Sequence, residues 1–342
     1  VLDECREKIA DFVGANPKEI LFTSGATESN NLALIGYAMR NRKKGNHIII
    51  SEVEHISIHN IAKYLERNGF EISKVPVDQY ARVDPKKLES RITDKTILAS
   101  IGYGSNEVGT LQPMESICQV LKNKGIAIHT DAVAAEGLVP MDVNKVPVDL
   151  MTLSSNDIYG PKGLGVLYVR KGFGIAPIIM GGGQERGLRS GTENMPAIVG
   201  MAEAARIAAV EMSEEIKRLG SYRDRLIKGV LERIPKAYLN GHPTERLPNN
   251  AHFRFEAVEG ESLMLSLKDK GISASTGSAC TSKTLEPSHT LIACGLLHEE
   301  AHGSLEFTFG RFNKAEDVDR ILEVLPVVLE RLRRLSPLYE GS

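Results

Sequence analysis

The sequence predicts an α/β protein in two parts: a large domain on a mostly parallel sheet over residues 1–212, then a smaller α+β domain over residues 213–342. Two observations carry that prediction. Short apolar runs take turns with longer amphipathic stretches through the first part, which is the spacing of βαβ units. From about residue 236 that alternation gives way to a different order. At the start, Val1, Leu2, Cys5, Ile9 and Phe12 recur with a helical period, so the chain opens inside a helix and a preceding segment is expected. "ILF" is then a strand and "ATESNNLALIGYAMR" the helix after it; "HIII" leads to "HISIHNIAKYLERN", and "TILASIG" to "PMESICQVLKNKG". "IAIHT", "VDLMTLS" and "LGVLYVR" add further strands, and a long helical pattern from about Pro196 to Arg233 leads out of the sheet. The second part reads as strand "AHFRFEAV", helix "GESLMLSLKDKG", strand "ISAS" and a terminal helix around 315 to 335.

Composition narrows the function classes. With 42 Lys and Arg against 44 Asp and Glu, the formal charge is -2, which argues against a nucleic-acid partner. No apolar stretch approaches the roughly 18 residues a membrane helix needs, and no basic segment followed by an apolar run opens the chain, so a cytoplasmic protein without a membrane partner is expected. Cys5, Cys118, Cys280 and Cys294 lie far apart and show neither disulfide-framework nor zinc-ligand spacing.

Several residues are candidates for chemistry. In "FTSGATESNNLAL", Gly25, Ala26 and Thr27 sit between a strand and a helix start, where free amide N–H groups and the helix dipole suit a phosphate. An ordinary capped helix, with Ser24 or Thr27 as cap and Glu28 in the first turn, gives the same stretch. Asp131 ends "IAIHTD", at the carboxyl end of a buried strand, where open α/β sheets bind ligands; it suits a protonated ring nitrogen, and equally a helix cap. His55 has a ring that can stack on a flat cofactor, and Asn106 in "GYGSNEVGT" an amide that can meet a phenolic oxygen. The glycine-rich "GGGQERGLRSGTEN" carries Arg186 and Arg189, a composition suited to facing an anion.

Taken in order, "FTSGATESNNLA", "SNEVGT", Asp131-Ala132, "IYGPKGLGVLYVRK", "GGGQERGLRSGTEN", "STGSACTSKTLEPSH" and "FTFGRF" resemble the cysteine desulfurases, fold-type I pyridoxal phosphate enzymes of aminotransferase class V. The resemblance spans Val1 to about Tyr339 and is to the branch that feeds iron–sulfur cluster assembly. It implies that Gly25, Ala26, Thr27 and Ser154 hold the cofactor phosphate, with Thr192 reaching it from the second subunit of a homodimer. It further implies that His55 stacks on the ring, that Asp131 pairs with the ring nitrogen, and that Asn106 touches its 3-oxygen. Cys280, in a loop with Gly277, Ser278 and Ala279, matches the cysteine that carries sulfur as a persulfide. Without the motif, a buried incidental thiol is the alternative.

This sequence departs from the family at three points. Asn156-Asp157 stands where the family has His-Lys, so the Schiff-base lysine is missing. Ala134 replaces a glutamine that bonds the 3-oxygen, and Glu306 falls where an arginine clamps the substrate carboxylate. At an effective dielectric of about 20, each unit charge about 5 Å from an anion contributes about 3 kcal/mol, so an amino-acid carboxylate is expected to be repelled. In its "SSND" the chain resembles archaeal-type members of the family. Lys162 in "YGPKG" offers a nearby amine, at a position where the family carries a lysine as well as the Schiff-base one.

Three functions follow. The first is a homodimeric desulfurase homologue with weak or absent desulfuration, noncovalent pyridoxal phosphate, and Cys280 as persulfide carrier or iron–sulfur ligand beside an IscU-like scaffold; cysteine or another donor supplies the sulfur. The second is an active pyridoxal phosphate-dependent desulfurase making alanine and persulfide from cysteine. The third is a cofactor-free interaction scaffold.

Overall fold

A computed structural model describes residues 1–276 and 287–337 of the chain. It divides into two compact units, the first made of residues 1–76, 83–106 and 112–212, the second of residues 77–82, 107–111 and 213–342. Two short segments, 77–82 and 107–111, thus group with the C-terminal part although they lie inside the N-terminal half of the sequence.

The first unit is built on seven strands: β1 (Ile20–Thr23), β2 (His47–Ser51), β3 (Glu71–Val75), β4 (Thr96–Ser100), β5 (Ala127–Asp131), β6 (Leu150–Ser154) and β7 (Gly165–Val169). Their order across the sheet is β1-β7-β6-β5-β4-β2-β3. Neighbours from β6 to β3 pair in parallel, whereas β7 is antiparallel to both β6 and β1. Two reversals return β1 to the direction of β6, so all strands except β7 present their carboxyl ends along one edge. β1, β2, β4, β6 and β7 are buried along their whole length, as the continuous apolar runs of a sheet covered on both faces require.

Helices α1 (Leu2–Val13), α2 (Ala26–Asn41), α3 (Ile56–Arg67), α4 (Pro85–Ser90) and α5 (Met114–Asn123) connect or flank these strands. α3 shows why its sequence is helical: Ile58, Ile61, Ala62 and Leu65 recur on one face and are buried. They join Leu32, Leu34, Ile48, Ile50 and Leu167 in the main apolar core. The buried His129 of β5 is a structural residue. Its Nδ1 meets Ser100 Oγ at 2.8 Å and its Nε2 meets Thr152 Oγ1 at 3.1 Å, and burial lowers its pKa to about 3.

α6 (Met195–Arg233) is the long helix of the sequence pattern, and the division between the units falls within it. The second unit holds β8 (Ala237–Asn240), β9 (Asn250–Phe255) and β10 (Ser304–Thr308) in the antiparallel order β10-β9-β8. α7 (Gly260–Lys268), α8 (His289–Ala293), α9 (His298–His302) and α10 (Ala315–Leu335) belong to it as well. The expected strand "ISAS" is not formed. Only Ser275 bridges Glu306, by backbone hydrogen bonds of 3.1 and 2.7 Å, and the ladder does not continue back toward Ile272. Strands β3, β8 and β10 carry no sequence expectation above. β3 is an edge strand with a largely exposed, polar pattern, which gives it no apolar run to read.

Candidate active site

Five chain segments leave the carboxyl edge of the sheet and line one cavity of about 490 Å³ in the first unit. Gly25, Ala26 and Thr27 follow β1; Glu54 and His55 follow β2; Gly102, Gly104 and Asn106 follow β4; Asp131 ends β5; Ser154 and Asp157 come from the end of β6. Strand ends at a sheet's carboxyl edge are where open α/β proteins place ligands. The structure therefore brings together Gly25, Ala26, Thr27, His55, Asn106, Asp131, Ser154, Ala134 and Asp157. It does not bring Thr192 to them: that residue is exposed and lines a separate cavity of about 130 Å³ with Arg189 and Asn194. Cys280 lies outside the described residues.

α2 begins at Gly25, which takes φ 155°, and no side chain caps the helix. Thr27 is not a cap, and Ser24 turns its hydrogen bonds to Glu28, its amide reaching Oε2 at 2.8 Å. First-turn amides of a helix have no acceptor within it, so an uncapped start keeps donors for an anion. The sheet presses close beneath: a Cβ on Gly165 of β7 would stand 2.5 Å from the Gly25 carbonyl carbon and 2.9 Å from Ala26 N. Only glycine at 165 lets this helix start sit where it does. Nothing local in "GLGVLYV" marks Gly165 for this contact.

Arg186 and Arg189 are engaged within the chain rather than turned to a ligand anion. Arg186 donates to Ile20 O at 3.1 Å, and Arg189 holds Glu28 through contacts of 2.8 and 3.3 Å. Burial works to raise the Glu28 pKa, but hydrogen bonds from Arg189 and the Ser24 amide outweigh it and the net shift is downward. The turn preceding Arg189 is anchored deeper still. Arg6 of α1 grips buried Glu185 in two bonds of 2.7 and 2.8 Å, while Phe22 N donates to the same carboxylate at 3.0 Å. Glu185 and Arg186 both adopt left-handed backbone, at φ 49° and 59°, a strained pair that this ion pair holds in place.

A hydrogen-bonded chain links the two ring-facing candidates. His55 caps α3 by accepting Ser57 N on Nδ1 at 3.2 Å, and Ser57 Oγ meets the same nitrogen at 2.8 Å. Because Nδ1 accepts, a neutral ring carries its proton on Nε2. Asn30 Nδ2 then bridges Ser57 Oγ at 3.1 Å and Asp131 Oδ2 at 2.8 Å, and Val133 N donates to Asp131 Oδ1 at 3.2 Å. The buried Asn30 Oδ1 has no hydrogen-bond partner. Asn30 is a positioning residue that the sequence did not single out; it holds the strand-end carboxylate in a fixed orientation.

The electrostatics of this cavity are unusual. Glu28, Glu54, Asp131 and Asp157 line it, and among the described residues no lysine or arginine does. Lys162 is exposed and is not part of the lining. Burial raises the pKa of Glu54 to about 8 against hydrogen bonds from the Gly102 amide and the Ser51 hydroxyl, each of which reaches Oε1. Burial also raises Asp131, with Asp157 adding to it while Asn30, Val133 and His55 oppose it. Beneath the cavity, buried Glu136 accepts Ser154 N at 2.9 and 3.1 Å and is raised well above the ordinary range by desolvation and then Asp157. Asp157 presents an open side chain to the cavity, yet enough of the chain surrounds it that desolvation raises it despite hydrogen bonds from Ser154 and Asn156.

The second unit corrects one expectation. Glu306 of β10 accepts from Asn250 Nδ2 at 2.9 Å, and burial, with Glu107 beside it, raises its pKa to about 8. Glu107 is itself raised to about 7 by burial. Burial and the neighbouring Glu107 both work against the full negative charge expected at Glu306 from sequence. The positive charge of an arginine is absent all the same.

These residues fit part of a pyridoxal phosphate. The uncapped α2 start suits its phosphate, and Asp131, held by Asn30, suits its ring nitrogen. The lining does not fit a covalent link, since it contains no lysine among the described residues.

The architecture is that of the fold-type I pyridoxal phosphate proteins. Within that class the chain belongs to the aminotransferase class-V family, whose profile matches residues 1–321. It is 57% identical over 339 residues to the cysteine desulfurase IscS 1 of Archaeoglobus fulgidus, covering 99% of this chain and 88% of that protein. It is 53% identical over 333 residues to the cysteine desulfurase IscS of Methanosarcina thermophila, covering 97% and 82%. Among solved structures, a NifS-like protein superposes with a TM-score of 0.90 at 37% identity over 96% of this chain and 87% of that one. The chain is a homologue of the cysteine desulfurases.

Proposed function

We propose that this protein works in iron–sulfur cluster assembly as a cysteine desulfurase homologue whose own desulfuration is weak or absent. Cys280 serves as persulfide carrier or cluster ligand toward an IscU-like scaffold, in a homodimer in which Thr192 reaches the partner's phosphate seat. The observation that carries this reading is the cavity wall: an uncapped helix start and Asp131 line it, and Asp157 stands where an amine is needed. Gly25, Ala26, Thr27 and Ser154 would hold the phosphate, with His55 toward the ring and Asn106 toward its 3-oxygen; all of them line the cavity. When bound, pyridoxal phosphate supplies an electron sink for breaking bonds next to an amine. Asp131 would pair with the ring nitrogen, and Ser57 and Asn30 hold His55 and Asp131 in mutual register. Asp157 supplies neither the nucleophile that exchanges with a substrate amine nor a covalent tether. The weakness is thus assigned to Asp157 rather than to Glu306.

The state of the other thiols supports Cys280 as the sulfur carrier. Cys118 and Cys294 are pushed up to about 12 by burial, and Cys5 is buried. A thiol whose pKa burial raises in this way is a poor nucleophile and a poor metal ligand. Cys280→Ser is expected to abolish bound sulfane sulfur and cluster transfer to a scaffold; transfer at the native rate in that variant removes the proposal. A second reading, an active desulfurase that uses Lys162, has no support from the cavity wall, where Lys162 is absent.

A further inference from the structure

The four carboxyl groups that line the cavity are not equivalent. Glu28 is paired with Arg189. Asp131 accepts from Asn30 and from the Val133 amide. Glu54 accepts from Ser51 and Gly102 on Oε1. Asp157 alone among them has neither an ion-pair partner nor a backbone amide donor within the described residues, its contacts being the Ser154 and Asn156 side chains. It lines the same cavity as the anion-accepting start of α2, which asks for a ligand that is negative at one end and positive at the other.

Resting on the reading that this cavity holds a vitamin-B6 phosphate, we propose that its preferred ligand is the amine form, pyridoxamine phosphate, with the Asp157 carboxylate as the partner of the ammonium group. The amine form has the same phosphate and the same ring as the aldehyde, and differs by carrying a cationic aminomethyl group. An aldehyde facing Asp157 finds neither an amine to react with nor an opposite charge. An ammonium there forms a charge-assisted hydrogen bond and holds the carboxylate ionised. The lysine-free wall is then a site matched to a cation, not merely a damaged one.

The test is isothermal titration of the purified full-length chain with pyridoxamine phosphate and with pyridoxine phosphate, which replaces the ammonium by a neutral hydroxyl. The native chain is expected to bind the amine at least about tenfold more tightly, a modest share of the Coulomb attraction of a close pair. In Asp157→Asn that preference falls to within about threefold while pyridoxine phosphate binds as before. Asp157→Ser serves as a second neutral variant where the asparagine protein does not fold. Equal binding of the two compounds by the native chain overturns this inference and leaves the vitamin-B6 reading intact. A preference that persists in both variants overturns it too, by assigning the ammonium to another carboxylate. Binding of neither compound overturns the vitamin-B6 reading itself.

Discussion

Replacing Glu306 by glutamine tests the electrostatics of the second unit. The substitution keeps an amide oxygen for the Asn250 Nδ2 bond and removes an ionisable group whose charged form burial disfavours. Its pKa is about 8 in the folded chain against 4.5 as the ordinary value. A carboxyl whose folded pKa is raised binds more protons in the native state than in the unfolded one, so its contribution to stability falls as pH rises. The loss begins near the unfolded value of 4.5 and is complete above about 8. At about 1.4 kcal/mol per unit, the shift sets an upper bound on the order of 5 kcal/mol, and on the order of 3 kcal/mol at pH 7. Urea denaturation of native and Glu306→Gln proteins at pH 5 and pH 8.5 reads this directly. The variant is expected to match the native chain within about 1 kcal/mol at pH 5 and to exceed it by a few kcal/mol at pH 8.5. A difference that does not grow with pH refutes the reasoning.

Two further perturbations address the first unit. Arg6→Met strands the buried Glu185 carboxylate and is expected to destabilise by about 3–5 kcal/mol, with much of the loss recovered in the Arg6→Met/Glu185→Gln double variant, both read from thermal midpoints. Gly165→Ala forces a methyl group against the Gly25 backbone at 2.5 Å; it should lower stability by about 1–3 kcal/mol and weaken pyridoxamine phosphate binding at least about tenfold in the same titration. Unchanged affinity would separate the α2 start from phosphate binding.

The legible parts of this protein are those where local sequence and burial agree. The continuous runs "ILF", "HIII" and "TILAS" are buried from end to end, and the strand-end position of Asp131 follows from the run before it. β3 escaped because an exposed edge strand needs no apolar pattern, and "ISAS" reads like a strand although it forms a single bridge at Ser275. The site residues came from the order of motifs, yet their supporting groups did not. Asn30 lies five residues past Gly25 with nothing local to mark it, and acts only because folding brings it 2.8 Å from Asp131. Arg186 and Arg189 have the composition of an anion-facing loop, but Ile20 O and Glu28, remote in sequence, occupy them. Glu306 shows the same limit in charge: its sequence says -1, and burial beside Glu107 says otherwise. Sequence records which groups are titratable, and tertiary surroundings decide their state.

The central claim is that this cavity holds its ligand without a covalent tether. Borohydride reduction of the native chain saturated with pyridoxal phosphate, followed by peptide mapping, tests it most directly. The account predicts no lysine modified in stoichiometric yield and no sustained sulfide release from cysteine. One pyridoxyl group per chain on a single lysine, Lys162 above all, together with steady sulfide release, would contradict it.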